Sequence, residues 1–142
     1  MNDEKTGSCL CEGVSFTITG PLRAITYCYC SQCRKTHGVM GPYTRAAHSD
    51  IHFTSDNTLK WYKSSEHAER GFCDTCGASI FWRIIGDDSS GISVGTLDQP
   101  SGLTADAHIF TDDLPDFYPL PEDGLPRIAG SSASELDEDD WV

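Results

Sequence analysis

Positive charge is scarce in this sequence: ten Lys and Arg stand against 22 Asp and Glu, a formal net charge of −12 over 142 residues. Five of the acids (Glu135, Asp137, Glu138, Asp139 and Asp140) crowd the terminal "ELDEDDWV", yet the remaining body is still acidic. A chain that grips nucleic acid through phosphates needs a basic face, so nucleic-acid binding is excluded as an expectation. Also missing is any run near the ~20 apolar residues of a membrane helix, and "MNDEKTGS" has no apolar core of a secretory leader. The expectation is a cytoplasmic protein with no membrane partner. In that reducing compartment clustered cysteines read as metal ligands or catalytic groups before they read as disulfides.

Long helical periodicity is lacking too. "VSFTIT" (14–19) alternates Val14, Phe16 and Ile18 with polar residues, the period of a half-buried strand. "RAITYC" (23–28), "PYTRAA" (42–47), "DIHFTS" (50–55), "TLKWYKS" (58–64), "HAERGFC" (67–73), "ASIFWRII" (78–85), "GISVGTL" (91–97) and "ADAHIF" (105–110) read as further strands. "SQCRKTHG" predicts a short helix with Ser31 as N-cap and Gly38 as its stop. Residues 1–6 read as frayed, and "LPDFYPLPEDGLPRIAGSS" as a coil covering the sheet. The fold class is mainly β with little helix, in one domain over 1–130, followed by an acidic, disordered tail over 131–142.

No cysteine is isolated. The seven fall in "CLC" (Cys9, Cys11), "CYCSQC" (Cys28, Cys30, Cys33) and "CDTC" (Cys73, Cys76). "CDTCG" reads as a zinc knuckle: two intervening residues aim both sulfurs at one ion, and Gly77 permits the turn that brings amides to sulfur. Cys9 and Cys11, on one side of an extended segment, can complete a four-thiolate structural site with Cys73 and Cys76. Cys28, Cys30 and Cys33 remain, and three thiolates leave one corner of a tetrahedral ion open for water or substrate, as in catalytic sites. Other readings stay open. The triplet could be closed by His37, His108 or an acid as a second structural site. Cys30–Cys33 and Cys73–Cys76 could form a rubredoxin-like iron site. A redox dithiol lacks its βαβ context.

The stretches "GSCLCEGVSF", "CYCSQCRKTHG", "GFCDTCGASIFWR", "ISVGTLD", "HIF" and "DGLP" run in order from residue 7 to 126. Together they resemble the glutathione-dependent formaldehyde-activating enzymes, a family grouped with centromere protein V. The resemblance implies a small β-rich, tent-like domain with two Zn2+ ions, one structural on Cys9, Cys11, Cys73 and Cys76, one catalytic on Cys28, Cys30 and Cys33. It implies carbon–sulfur lyase chemistry, the reversible joining of glutathione's thiol to formaldehyde as S-hydroxymethylglutathione. Two positions depart from the family's pattern: Glu12 stands where Gly usually follows the second cysteine, and Tyr29 where His commonly stands between the first two cysteines of the second motif.

A three-thiolate zinc favours a soft thiol as fourth ligand. His37, one helical turn past Cys33, is the candidate proton carrier. Gln32, Arg34 and Lys35 are the candidate substrate-binding residues, with Arg45 and Arg83 as further cations for an anionic thiol such as glutathione. His108 reads as a satisfied core histidine, and His48, His52 and His67 as surface residues. The rival function is a non-catalytic zinc module that binds glutathione or a protein partner. The oligomeric state is not legible.

Overall fold

The computed structural model describes residues 4–130; the predicted acidic tail lies outside the described residues. The strands, in chain order, are β1 (Lys5–Ser8), β2 (Val14–Ile18), β3 (Ile25–Cys28), β4 (Gly41–Ala47), β5 (Ile51–Asp56), β6 (Leu59–Lys63), β7 (Ala68–Cys73), β8 (Ser79–Ile84), β9 (Ser89–Ser93) and β10 (Ala105–Ile109), with one α-helix among the described residues, α1 (Ser31–His37). They form a three-stranded sheet, β1-β2-β5, and a seven-stranded sheet, β10-β3-β4-β9-β8-β7-β6. Pairing is antiparallel except between β10 and β3. The mainly β expectation therefore holds, and no helix of the described residues is long and apolar enough to cross a membrane.

The alternation of β2 does what its pattern predicts. Val14, Phe16 and Ile18 are buried, and with Ile80, Phe81, Ile92 and Leu97 they form the core between the two sheets. Each such side chain contributes roughly 1.5–3 kcal/mol on burial. The other face of the large sheet carries a second cluster of Cys30, Cys33, Tyr43, Ala68, Trp82, Ala107, Ile109 and Phe110. Strand register assigns the two faces. Arg45 lies opposite Gly91, Gly91 opposite Trp82, and Trp82 opposite Arg70, so one row crosses four strands; Gly41 and Tyr43, on the same face of β4 as Arg45, lie opposite Cys28 and Thr26 of β3.

Four local expectations are corrected. Residues 5–6, read as frayed, open β1, which is held by antiparallel pairing to β2. "CLC" is not an extended segment but the turn joining β1 to β2, where the amide of Glu12 bonds the carbonyl of Cys9. "GISVGTL" is a strand only to Ser93, then a 3-10 turn over Val94–Thr96. The N-cap of α1 is Cys30, whose sulfur accepts from the amide of Cys33, rather than Ser31; Gly38 does end the helix, at φ 106°. The segment after β10 is coil, and it runs along the edge of β10 through backbone bonds between His108 and both Pro126 and Ile128.

Candidate functional site

The first cysteine cluster joins two turns distant in sequence. Cys9 and Cys11 come from the β1–β2 turn, Cys73 and Cys76 from the β7–β8 turn, and all four Sγ atoms lie within 4.8 Å of one another. Cys9 to Cys11 is 3.7 Å and Cys11 to Cys73 is 3.5 Å. A tetrahedral zinc with Zn–S of about 2.3 Å sets its sulfurs about 3.8 Å apart, so the donor set fits the ion. The knuckle geometry is present: Gly77 sits at φ 80°, and the amides of Thr75 and Cys76 both reach Cys73 Sγ at 3.3 Å. The Cys76 amide and the Thr58 hydroxyl pull the Cys73 thiol down to about 5, the ionised form a metal requires.

The second cluster is Cys28 at the end of β3, Cys30 at the helix cap and Cys33 within α1, again with all sulfurs within 4.8 Å. No fourth His, Cys, Asp or Glu joins this group among the described residues. Hydrogen bonds from Cys28 and Cys33 pull the Cys30 thiol down to about 3, while hydrogen bonds with Cys30 and Cys33, together with burial, push Cys28 far up. Three thiolates in so small a volume repel one another, and a divalent ion among them would offset that charge. All seven cysteines are free, which fits two metal-binding clusters and excludes the disulfide reading in this structure.

Beside the triplet lies a small cavity of about 40 Å3 lined by Cys28, Cys33, Arg23, Thr26, Tyr43, Arg45, Arg70, Trp82, Gly91 and Ile109. Its key side chain is Arg70, only 5% exposed. Arg70 Nη1 donates to the Tyr43 hydroxyl at 3.2 Å and Nη2 to Cys33 Sγ at 3.7 Å. Tyr43 is in turn bonded through its hydroxyl to His37 Nε2 at 2.6 Å. Burial and the Arg70 charge push the His37 imidazole down to about 4, so at neutral pH its ring is uncharged and can accept from Tyr43.

The chain matches the family profile described as glutathione-dependent formaldehyde-activating enzyme over residues 4–113. It belongs to that family. A Schizosaccharomyces pombe protein named as a lyase is 27% identical over 117 residues, covering 81% of this chain and 84% of the relative. A crystal structure of a Rhodobacter sphaeroides protein superposes with a TM-score of 0.57 at 22% identity, over 86% of this chain and 98% of that one, and shares the fold. Family membership and the yeast relative's name support a lyase-like function.

In this glutathione-dependent formaldehyde-activating family member the sequence-predicted residues do not all converge. His37 reaches the cavity only through Tyr43. Gln32, Arg34 and Lys35 lie on α1 outside the cavity lining; Gln32 Nε2 bonds the Ser64 carbonyl at 3.4 Å, and its buried Oε1 has no partner. Arg45 is in the lining, whereas Arg83 pairs with Glu69 at 2.6 Å and stacks over Trp61. Tyr29 faces away from the cavity: its hydroxyl bonds His108 Nδ1 at 2.9 Å, and His108 Nε2 bonds Asp123 at 2.8 Å. His108 is thus the satisfied core residue its apolar neighbours predict. His48 is half-buried against Ser90 rather than free on the surface. Sequence reasoning missed Arg23, Tyr43 and Arg70. A signal for Arg70 existed: in "AERGFC" it sits two residues from Ala68, at an inward strand position where a charge is costly.

Proposed function

We propose that this chain is a zinc-dependent enzyme of the carbon–sulfur lyase type that makes and breaks a thiol–aldehyde adduct such as S-hydroxymethylglutathione, in the reducing setting of the cytoplasm. The observation that carries the reading is the asymmetry of the two cysteine clusters: four sulfurs close around one point, three around another, beside a cavity that two of the three line. A zinc ion held by Cys28, Cys30 and Cys33 would supply stabilisation of a substrate thiol as its nucleophilic thiolate.

The protein's own groups account for the remainder. In the forward direction the thiol sulfur bonds the aldehyde carbon, the carbonyl π bond breaks, and the thiol's proton ends on the new hydroxyl; the lyase direction reverses each step. Tyr43, in the cavity wall between His37 and Arg70, is the hydroxyl able to pass that proton between His37 and the reacting oxygen. Arg70 holds Cys33 and Tyr43 in one geometry and offsets the negative charge of three thiolates. Gln32, Arg34 and Lys35, on the helix that carries Cys33, are the groups available to the carrier of the thiol. The experiment is exchange NMR on glutathione and formaldehyde with the zinc-loaded protein. Interconversion of adduct and free thiol should be faster than in buffer, and Cys33→Ser should remove the acceleration. Buffer-level rates for glutathione and for other cellular thiols would sink the proposal.

A further inference from the structure

The cavity holds more positive charge than the thiol alone accounts for. Arg23 Nη2 donates to the Tyr43 carbonyl at 3.0 Å and its Nε to the Ala24 carbonyl at 3.3 Å. Arg45 Nη1 donates to Ser89 Oγ at 2.9 Å, with its guanidinium 5.5 Å from the centre of the Trp82 ring. Arg70 leaves its buried Nε without a partner. Among the described residues none of these three is in ion-pair contact with a carboxylate; only Arg83 has one. Asp87 and Asp106 act on Arg45 and Arg23 from beyond contact. Burial, with repulsion from Arg45, pulls Arg23 down to about 10. Such a guanidinium group is under-compensated.

By ligand count, three thiolates and one Zn2+ carry a charge of about −1. Arg70, bonded to Cys33 through Nη2, offsets part of it and still has its Nε to offer a ligand. Arg23 and Arg45 remain, and planar guanidinium groups are matched by carboxylate oxygens. Size narrows the source of that carboxylate. A volume of about 40 Å3 is far below the roughly 300–1,000 Å3 of pockets that enclose drug-sized ligands, which favours a small acid over a tripeptide. Gly91 keeps this space open. A Cβ there would point onto the same face, meeting Tyr43 Cδ1 at 3.3 Å and the Trp82 carbonyl at 3.4 Å, so the Tyr43 ring would have to give by a few tenths of an ångström as the cavity shrinks.

We propose that Arg23, Arg45 and Arg70 form a carboxylate pocket for the aldehyde partner, so that the preferred electrophile is a small aldehyde acid of the 2-oxo acid class rather than a neutral aldehyde. The proposal rests on the thiol–aldehyde reading above. The pocket holds the carboxylate and turns the adjacent aldehyde carbon toward the side where Cys28 and Cys33 line the wall. The addition is the one already written: the S–C bond forms, the carbonyl π bond opens, and the thiol's proton moves to oxygen, with no oxidant or reductant.

Two measurements on the zinc-loaded full chain test it. In the first, glyoxylate and its neutral counterpart glycolaldehyde are each paired with glutathione and with 2-mercaptoethanol, and adduct formation is followed by NMR. Expected is a kcat/KM at least tenfold higher for glyoxylate with either thiol, and a glyoxylate-to-glycolaldehyde ratio near one in Arg45→Gln. Equal handling of the aldehydes, or a preference that follows glutathione's carboxylates instead, overturns the assignment. The second uses oxamate, an unreactive analogue of glyoxylate, and reads the 1H–15N shifts of the Arg45 guanidinium and Trp82 indole. Saturable binding, weakened at least tenfold by Gly91→Ala with unchanged metal content and fold, supports the pocket even if no thiol–aldehyde pair is accelerated, in which case only the catalytic reading falls. Absence of saturable binding, or equal binding by Gly91→Ala, overturns the pocket even if catalysis is found.

Discussion

Glu12 sits at φ 66°, a left-handed conformation that costs an L-residue with a side chain roughly 1–2 kcal/mol. It is the residue at which this chain departs from the glycine expected after the second cysteine, and the turn keeps the glycine's geometry. Glycine takes this conformation without strain but loses more freedom on folding, so Glu12→Gly should stabilise the zinc-loaded protein by a net of about 0.5–1 kcal/mol. Denaturant melts at fixed metal content would show it; a loss of stability would mean that the carboxylate, not the turn, matters there. Arg70 has the opposite character, a buried charge with a sulfur and a hydroxyl for partners. Arg70→Met should weaken metal binding at the three-cysteine cluster by about 10–100-fold, the usual effect of removing a group that orients a ligand, and leave the four-cysteine cluster unchanged. Competition with a chelator, reading two metals per chain separately, measures this. His37 supplies a pH signature. Its folded value of about 4 lies below the ordinary 6.5, so the unfolded chain binds its proton first and stability falls as pH drops from about 6.5 towards 4. His37→Gln should lose less stability than the native protein across that window, and parallel curves would exclude a buried neutral imidazole.

At the level of elements, what could be read from the sequence was local. β2 and α1 declare themselves through alternation, a glycine stop and chain spacing, because their own residues supply the reason for the shape. β1 does not: "KTGS" has no apolar alternation and becomes a strand only because β2 lies beside it and Leu97 bridges Gly7. The cysteine division was legible because ligand number is a property of composition and spacing. That the cluster from "CLC" and "CDTC" packs on one face of the large sheet, and the triplet on the other, depends on register and could not be read. The arginine-lined cavity was illegible for the same reason, since Arg23, Arg45 and Arg70 come from three separate segments. Gly38, at φ 106°, tests how far α1 governs its cysteine. Gly38→Ala should cost about 1 kcal/mol and, because Cys33 lies within this seven-residue helix, accelerate metal loss from the triplet more than from the other cluster. Equal acceleration at both would show that the helix end does not govern the triplet.

Across the whole molecule, β7 connects the two clusters. Arg70 on one of its faces reaches Cys33, while Cys73 at its end belongs to the opposite core with Phe16 and Phe81. The four-cysteine cluster ties the small sheet to the large one across 62 residues of sequence, so a metal bound there would stabilise the association of the sheets and hence the fold itself. The triplet joins β3 to α1, neighbours in sequence, and little of the architecture depends on it. Stepwise behaviour follows. Cys33→Ser should carry one fewer zinc per chain with its circular dichroism and cooperative melt retained, whereas Cys73→Ser should unfold. Chelator titration of the native protein should remove one metal without loss of near-ultraviolet dichroism before the second leaves together with the fold. Simultaneous release of both metals, or unfolding on loss of the first, would mean that the large sheet transmits the state of one face to the other. The two sites would then have to be treated as one cooperative unit, with the open cluster as much a part of the scaffold as the closed one.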